Sequence, residues 1–176
     1  MKDNKPIKIM KIPGIATKYR ILFLVISFII VIFDQLTKFI VRNNLTLLQS
    51  VKVNQYCDWT LAYNQGAAFS LLANEGGWQR IFFGIIATFV SMILAYYILN
   101  KNYKAWIGVA ISFILGGAVG NLIDRIIAGR VTDFIDWHIG DHHWPAFNIA
   151  DSFICIGVTM IIIDSLFFKH SKQSKW

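Results

Sequence analysis

Charge and cysteine are both scarce in this sequence, and each shortage excludes something. Charged side chains make up 15% of its 176 residues, against about 25% in a typical soluble domain. With so few charges and fourteen phenylalanines, a disordered chain is excluded. Only two cysteines occur, Cys57 and Cys155, far apart and in no Cys-x-x-Cys. A disulfide scaffold is not indicated, and the redox compartment is not legible. Internal repeats and low-complexity segments are absent. Ser70, Ser91 and Ser112 have no histidine beside them in a nucleophile-elbow context. His138, Asp141, His142 and His143 match no zinc-ligand spacing and read as a solvated loop.

Apolar residues are abundant. They form 56% of the chain, with a mean hydropathy of +0.53. A chain this small cannot hide so much apolar surface from water, so an integral membrane protein is expected. If each span takes about 20 residues, four or five crossings fill the length, as one domain.

The organisation follows from the apolar runs. Residues 1–20 are polar and carry Lys2, Lys5, Lys8, Lys11, Lys18 and Arg20, which reads as a cytoplasmic tail. The run from Ile21 to Phe33 resembles the apolar part of a signal peptide. No small-x-small cleavage site follows, however, and the apolar pattern resumes at Phe39, so an uncleaved first helix over about 19–42 is expected. Residues 43–78 lose helical periodicity and carry the alternating Val51-Lys52-Val53-Asn54 and turn signals at Asn64-Gln65-Gly66 and Glu75-Gly76-Gly77. This segment is expected to be strand-rich and outside the bilayer. Further spans are expected at about 80–99, 105–127 and 147–168. The short 100–104 loop can join only antiparallel neighbours, and a polar outer loop is placed at 128–146. The membrane domain is thus 21–168, and 169–176 is a second basic tail.

The net charge is +7, from seventeen Lys and Arg against ten Asp and Glu. Eleven of the seventeen sit in the two tails and the 100–104 loop, and four spans put these segments on one side. Positive residues flanking apolar runs mark the cytoplasmic face, so both termini are expected inside and no nucleic-acid partner is expected. Asp34, Asp58, Glu75, Asp124, Asp133, Asp136, Asp141 and Asp151 fall on or near the outer side, and only Asp3 and Asp164 do not. Any chemistry is expected at the outer face.

Ionisable residues inside spans cost about 2.5–3.5 kcal/mol each, which makes them functional candidates. Asp34 and Lys38 are at i,i+4 near the outer end of the first helix, where a salt bridge that snorkels to the interface explains them. In the third helix Gly116 and Gly120 permit close helix approach. Asn121, Asp124 and Arg125 share one helical face. They fit either a structural Asp124–Arg125 network or a site in which Arg125 is a rigid donor. Asp133 is enclosed by apolar neighbours in a segment returning to the bilayer. Asn148 and Asp151 share a face where the fourth span opens, and Asp151 also fits a partner for the helix dipole. Asp164, about 20 Å along that helix from Asp151, reads as a cytoplasmic-end residue near Lys169.

Asp133 and Asp151 fall at the same depth with no evident partners. Two carboxylates about 4 Å apart, at an effective dielectric of 20, repel by about 4 kcal/mol, roughly three pKa units of splitting. One then serves as acid and the other as base near neutral pH, as hydrolysis of an amide by water requires. Two other classes fit membrane carboxylates: a small proton- or cation-coupled transporter with an Asp124, Asp133, Asp151 relay, and a structural assembly factor. The crowding of polar residues at one end disfavours both.

Five segments, in order, resemble the bacterial lipoprotein signal peptidases, or signal peptidase II, which are intramembrane aspartyl proteases. They are Phe33-Asp34-Gln35-Leu36-Thr37-Lys38, Tyr63-Asn64-Gln65-Gly66-Ala67-Ala68-Phe69, Gly120-Asn121-Leu122-Ile123-Asp124-Arg125, Val131-Thr132-Asp133-Phe134-Ile135 and Phe147-Asn148-Ile149-Ala150-Asp151-Ser152. The resemblance implies an all-α polytopic membrane protein of four transmembrane helices with a small extramembrane β-rich cradle on the outer side. It implies Asp133 and Asp151 as the catalytic pair, supported by Asp34, Lys38, Asn64, Asn121, Asp124, Arg125 and Asn148. It also implies a location in the bacterial cytoplasmic membrane, with membrane lipid around a monomer. The implied substrate is a diacylglyceryl-modified prolipoprotein, cut on the amino side of the lipidated cysteine after the diacylglyceryl transferase has acted. No metal or organic cofactor is implied. The basic N-terminal tail and the His138–His143 loop match no motif of the family.

Overall fold

The computed structural model describes residues 17–66 and 78–167. The elements run α1 (Thr17–Asn44), β1 (Ser50–Asn54), β2 (Cys57–Asn64), α2 (Trp78–Asn100), α3 (Ala105–Ala128), β3 (Val131–Ile139), β4 (His142–His143) and α4 (Ile149–Phe167). All four helices are long and apolar enough to cross a membrane. The basic tails expected at the two ends lie mostly outside the described residues.

Helix α3 is the axis of the bundle. Over half of its apolar window is buried, against 11–28% for the other three, whose remaining apolar surface is left for lipid. Small residues make that central position possible. A Cβ at Gly116 would stand 2.8 Å from Ile30 and from the Ser27 carbonyl of α1, and one at Gly117 would stand 2.4 Å from the Ala150 carbonyl of α4. Backbones approach this closely only where a side chain is missing. At the end of the bundle that carries the 100–104 loop, Phe23, Ile98, Tyr103, Ile111 and Leu115 close the core.

At the other end lies a four-stranded antiparallel sheet in the order β1-β2-β3-β4. The expected strand-rich segment supplies only β1 and β2. Most of the stretch placed in an outer loop at 128–146 is instead β3 and β4, which complete the sheet. The chain leaves α3 through Gly129, whose left-handed φ of 69° lets its N–H cap the Arg125 carbonyl at 3.1 Å. Two residues later β3 begins beside β2. Leu61 of β2 and Phe134 of β3 are buried with Val41 of α1, which seats the sheet on the end of that helix.

Two irregularities of the sheet set up the site. Trp59 pairs with Ile135 and Ala62 with Asp133, so β2 carries one extra residue across that interval, a β-bulge. Just before α4, Phe147 bridges to Ile135, exchanging backbone hydrogen bonds of 2.8 and 3.1 Å. That bridge sews the start of α4 to β3.

Candidate active site

Nine polar side chains singled out in the sequence meet where the ends of α1 and α3, the start of α4 and the end of β2 converge on β3. The framework is built around Lys38. Its ammonium is 0% exposed and lies 2.8 Å from Asp34, 3.2 Å from Asp124 and 2.9 Å from the Asn121 amide oxygen. The Asp34–Lys38 pair forms as expected but does not snorkel, because α3 and α4 cover it: Asp34 also accepts the Ala150 N–H at 3.0 Å. A Cβ at Gly120 would lie 2.6 Å from the Asp34 carboxylate, so glycine is required there for the pair to reach α3. Asp124 accepts the Thr132 backbone N–H at 2.9 Å and meets Arg42 at 3.4 Å. Two carboxylates thus face two cations, so the buried charge balances; an uncompensated buried ion would cost several kcal/mol.

The expected Asp124–Arg125 network is not what forms. Consecutive residues on a helix point about 100° apart. Asp124 faces α1, whereas Arg125 turns to the end of β2 and donates to the Gly66 carbonyl at 3.0 Å and the Asn121 carbonyl at 3.4 Å. Arg125 also lies in the field of Asp151, Asp133 and Asp124.

Asn148 joins the two candidate catalytic carboxylates. It caps α4 reciprocally with Asp151: the Asp151 N–H donates to the Asn148 side-chain oxygen at 3.0 Å, and the Asn148 N–H donates to Asp151 at 3.2 Å. This is a capping box built from asparagine and aspartate. The dipole reading of Asp151 and its membership of a site are therefore both satisfied by one residue. The fully buried Asn148 amide then donates to Asp133 at 2.6 Å, and also reaches the Asn121 side chain at 3.1 Å and the Thr132 carbonyl at 3.3 Å. Asn121 completes the circuit by donating to Asp151 at 2.8 Å.

Asp133 lies on β3, whose backbone groups pair with β2, within the buried run from Val131 to Phe134. The two aspartates are not without partners. Asp133 takes hydrogen bonds from Asn148 and Asn64, and Asp151 takes them from Asn121 and Asn148. Asp133 is only 3% exposed. Burial, reinforced by the charge of Asp151, pushes its carboxyl up to about 7, against the lowering effect of the two asparagine donors. Asp151 is half-buried. A buried carboxyl raised to about 7 and linked through Asn148 to a more open one is an arrangement that can divide acid and base roles between two groups.

Sequence reasoning missed Gln35, Arg42 and Thr132. Gln35 donates to Asp34 at 3.2 Å, to Asp124 at 3.2 Å and to the Gly120 carbonyl at 3.0 Å. Arg42 donates to the Thr132 hydroxyl at 3.1 Å. The signal for Arg42 was available, since residues 34, 38 and 42 recur at i,i+4 on one stripe of α1.

The histidine-rich stretch is solvated as expected at Asp141, His142 and His143, but it is a short hairpin of β3 and β4 rather than a loop. His138 of β3 lies 3.4 Å from Asp58 of β2, His143 of β4 lies 2.8 Å from Asp136, and the two rings stack at 4.9 Å. Cross-strand pairing puts these four side chains on one face of the sheet. Asp164 pairs with Lys104 at 2.8 Å, while Lys169 lies outside the described residues.

Comparison with known proteins bears on this arrangement. The family model described as signal peptidase (SPase) II matches residues 26–167. The lipoprotein signal peptidase of Alteromonas mediterranea is 45% identical over 154 residues, covering 87% of this chain and 84% of that protein. That of Pseudomonas putida is 45% identical over 158 residues, covering 88% and 92%. A bacterial membrane enzyme solved by the in meso method at 2.3 Å resolution superposes with a TM-score of 0.79 at 36% identity, covering 93% of this chain and 96% of that one. A second, solved by the same method at 1.9 Å, gives a TM-score of 0.73 at 37% identity over 88% and 96%. With four spanning helices, a small antiparallel sheet and a family model matched over most of its length, the chain belongs to the signal peptidase II family of membrane proteases.

Proposed function

We propose that this protein removes the signal peptide from diacylglyceryl-modified prolipoproteins, cutting on the amino side of the lipidated cysteine, with Asp133 and Asp151 as the catalytic pair. The observation that carries the assignment is the Asn148 bridge, which binds Asp133 through its side chain and Asp151 through its backbone. In this reading Asp133 begins the cycle protonated. Asp151 takes a proton from water as the oxygen attacks the scissile carbonyl, and Asp133 protonates the departing nitrogen. Asn121 and Asn148 hold the carboxylates in place. Asn64 and Arg125 stand ready as donors to the substrate backbone or the developing oxyanion.

The relatives' name, lipoprotein signal peptidase, supports the substrate class. The outer-face location rests on charge. The end of the bundle that holds the site is opposite the 100–104 loop, the start of α1 and the end of α4, so it faces outward if the positive segments of the sequence there are cytoplasmic. Such a site suits a substrate whose signal helix and acyl chains stay in lipid while one peptide bond reaches the interface. A single chain supplies the whole site, so a monomer suffices.

The test is incubation of the purified protein with a lipidated preprolipoprotein, followed by mass analysis. The expected product is a fragment beginning at the lipidated cysteine. Asp133→Asn and Asp151→Asn should each abolish it while the protein still folds and inserts, because asparagine keeps the shape but carries no exchangeable acid proton. Near wild-type turnover by either variant would overturn the pair.

A further inference from the structure

Six of the seventeen basic residues lie away from the tails and the 100–104 loop: Lys38, Arg42, Lys52, Arg80, Arg125 and Arg130. Lys38 and Arg42 are neutralised by Asp34 and Asp124, and Arg125 is engaged by two carbonyls. Arg80 and Arg130 have no carboxylate partner among the described residues. They converge nonetheless. Both line a cleft of about 490 Å³ where α2 begins and α3 has ended, and Arg130 lies over the Tyr63 ring at 3.6 Å. The Arg80 side chain rests against Gly129, where a Cβ would come within 3.2 Å of it.

That cleft shares Arg80, Ile81, Ala128 and Gly129 with a second of about 630 Å³ that descends between α2 and α3. Its walls are mostly apolar between Arg80 and Arg125, and it follows α2 from Arg80 to Met92. Twelve residues of helix rise about 18 Å, close to the depth of one leaflet of a hydrocarbon core about 30 Å thick. Its floor is open at Gly84, where a Cβ would find nothing within 4 Å. Both helices are long and apolar enough to span the membrane, so the trough would open towards lipid.

We propose that the α2–α3 trough is a binding site for an anionic glycerophospholipid, its phosphate held by Arg80 and Arg130 and one acyl chain lying along Gly84 towards Met92. The planar guanidinium matches phosphate oxygens in two-point contact, and basic pockets between spanning helices select anionic headgroups. Arg125 is one of the trough's lining residues, so the lipid would reach the edge of the proposed active site. The inference does not rest on the proposed reaction. A diacylglyceryl cysteine has no phosphate, so dependence on phosphate separates a bound phospholipid from the substrate's own chains.

The experiment is native mass spectrometry of the purified full-length protein in detergent. It is titrated separately with phosphatidylglycerol, with diacylglycerol of the same chains and with glycerol 1-phosphate. Only phosphatidylglycerol should remain bound. Arg80→Gln should weaken its retention about tenfold or more, as loss of a charged hydrogen-bond donor does. Gly84→Phe should weaken it comparably by filling the trough, and Gly84→Leu is a smaller plug if Gly84→Phe fails to fold. Lys52→Gln, which removes an exposed cation from β1, should leave retention unchanged. Equal retention of diacylglycerol would overturn the proposal, as would wild-type retention in Arg80→Gln. Glycerol 1-phosphate bound as tightly as the lipid would overturn the acyl-chain assignment, and loss of retention in Lys52→Gln would reduce the effect to general charge.

Discussion

If Asp133 is the acid of the pair, the pH at which activity fails should move when one of its hydrogen-bond donors is removed. Burial and the Asp151 charge raise the Asp133 carboxyl to about 7, while Asn148 and Asn64 pull it down by stabilising the ionised form. The active pair carries one proton. Raising the pH through about 7 removes it, so kcat/KM should fall on the alkaline side, approaching tenfold per pH unit. Asn64→Ala deletes one donor. A hydrogen bond to a charged group is worth about 1.5–3 kcal/mol, and one pKa unit is about 1.4 kcal/mol. Water will replace part of the loss at the half-buried end of β2, which leaves a rise of about one unit. The alkaline limb of the variant should therefore lie about one pH unit above that of the wild type, on a lower plateau. Asn64 has a second task, since its side-chain oxygen accepts the Gly66 N–H at 2.9 Å. Damage to that turn alone would lower kcat/KM equally at every pH. The assay is kcat/KM on a lipidated peptide in a non-ionisable detergent from pH 5 to 9, an interval of about two units either side of neutral. A limb that stays in place or moves down would refute the role of Asn64 at Asp133, and with it the reading of Asp133 as the acid.

Three further outcomes are expected. Lys38→Met should destabilise the protein by about 3–5 kcal/mol, because it leaves Asp34 and Asp124 facing each other in a buried site; thermal or denaturant unfolding in detergent measures this, and an unchanged melt would refute it. Arg125→Lys should lower kcat/KM about 5- to 150-fold with only a modest shift in the melt. A lysine offers one mobile charge where the guanidinium holds two carbonyls, so unchanged kinetics would remove Arg125 from the site. Cleavage should survive thorough chelation and replacement of His138, His142 and His143 by alanine, since these residues lie on the sheet hairpin and His143 is hydrogen-bonded to Asp136 rather than to any group of the site. Loss of activity with EDTA that zinc restores would refute this.

Much of the molecule was legible before any coordinates. The spans, the strand-rich segment after the first helix and eight of the nine polar residues that meet at the site follow from local rules, while Asn64 entered only through the family resemblance. Twenty apolar residues span a bilayer, period-2 alternation makes strands, and a charge in a spanning helix demands an explanation. Spacing along one helix was equally dependable. Asp34 and Lys38 pair at i,i+4, and Asn148 and Asp151 share the first turn of α4.

Which partner each polar group takes was decided only by the tertiary structure. Asp124 and Arg125 are neighbours in sequence, yet the helical twist sends one to Lys38 and Arg42 and the other to the Gly66 carbonyl. The stretch after α3 read as a loop because its polar residues break the apolar pattern. It is a strand because β2, some seventy residues earlier, offers it an edge, and a sheet register is a long-range agreement that no local window contains. The site itself is of that kind. The sequence by itself marked Asp133 and Asp151 as carboxylates expected at one depth, each expensive to bury. Only the bridge between Phe147 and β3 decided that Asn148 would stand between them, its side-chain amide holding Asp133 and its backbone N–H holding Asp151, while burial raises the Asp133 carboxyl.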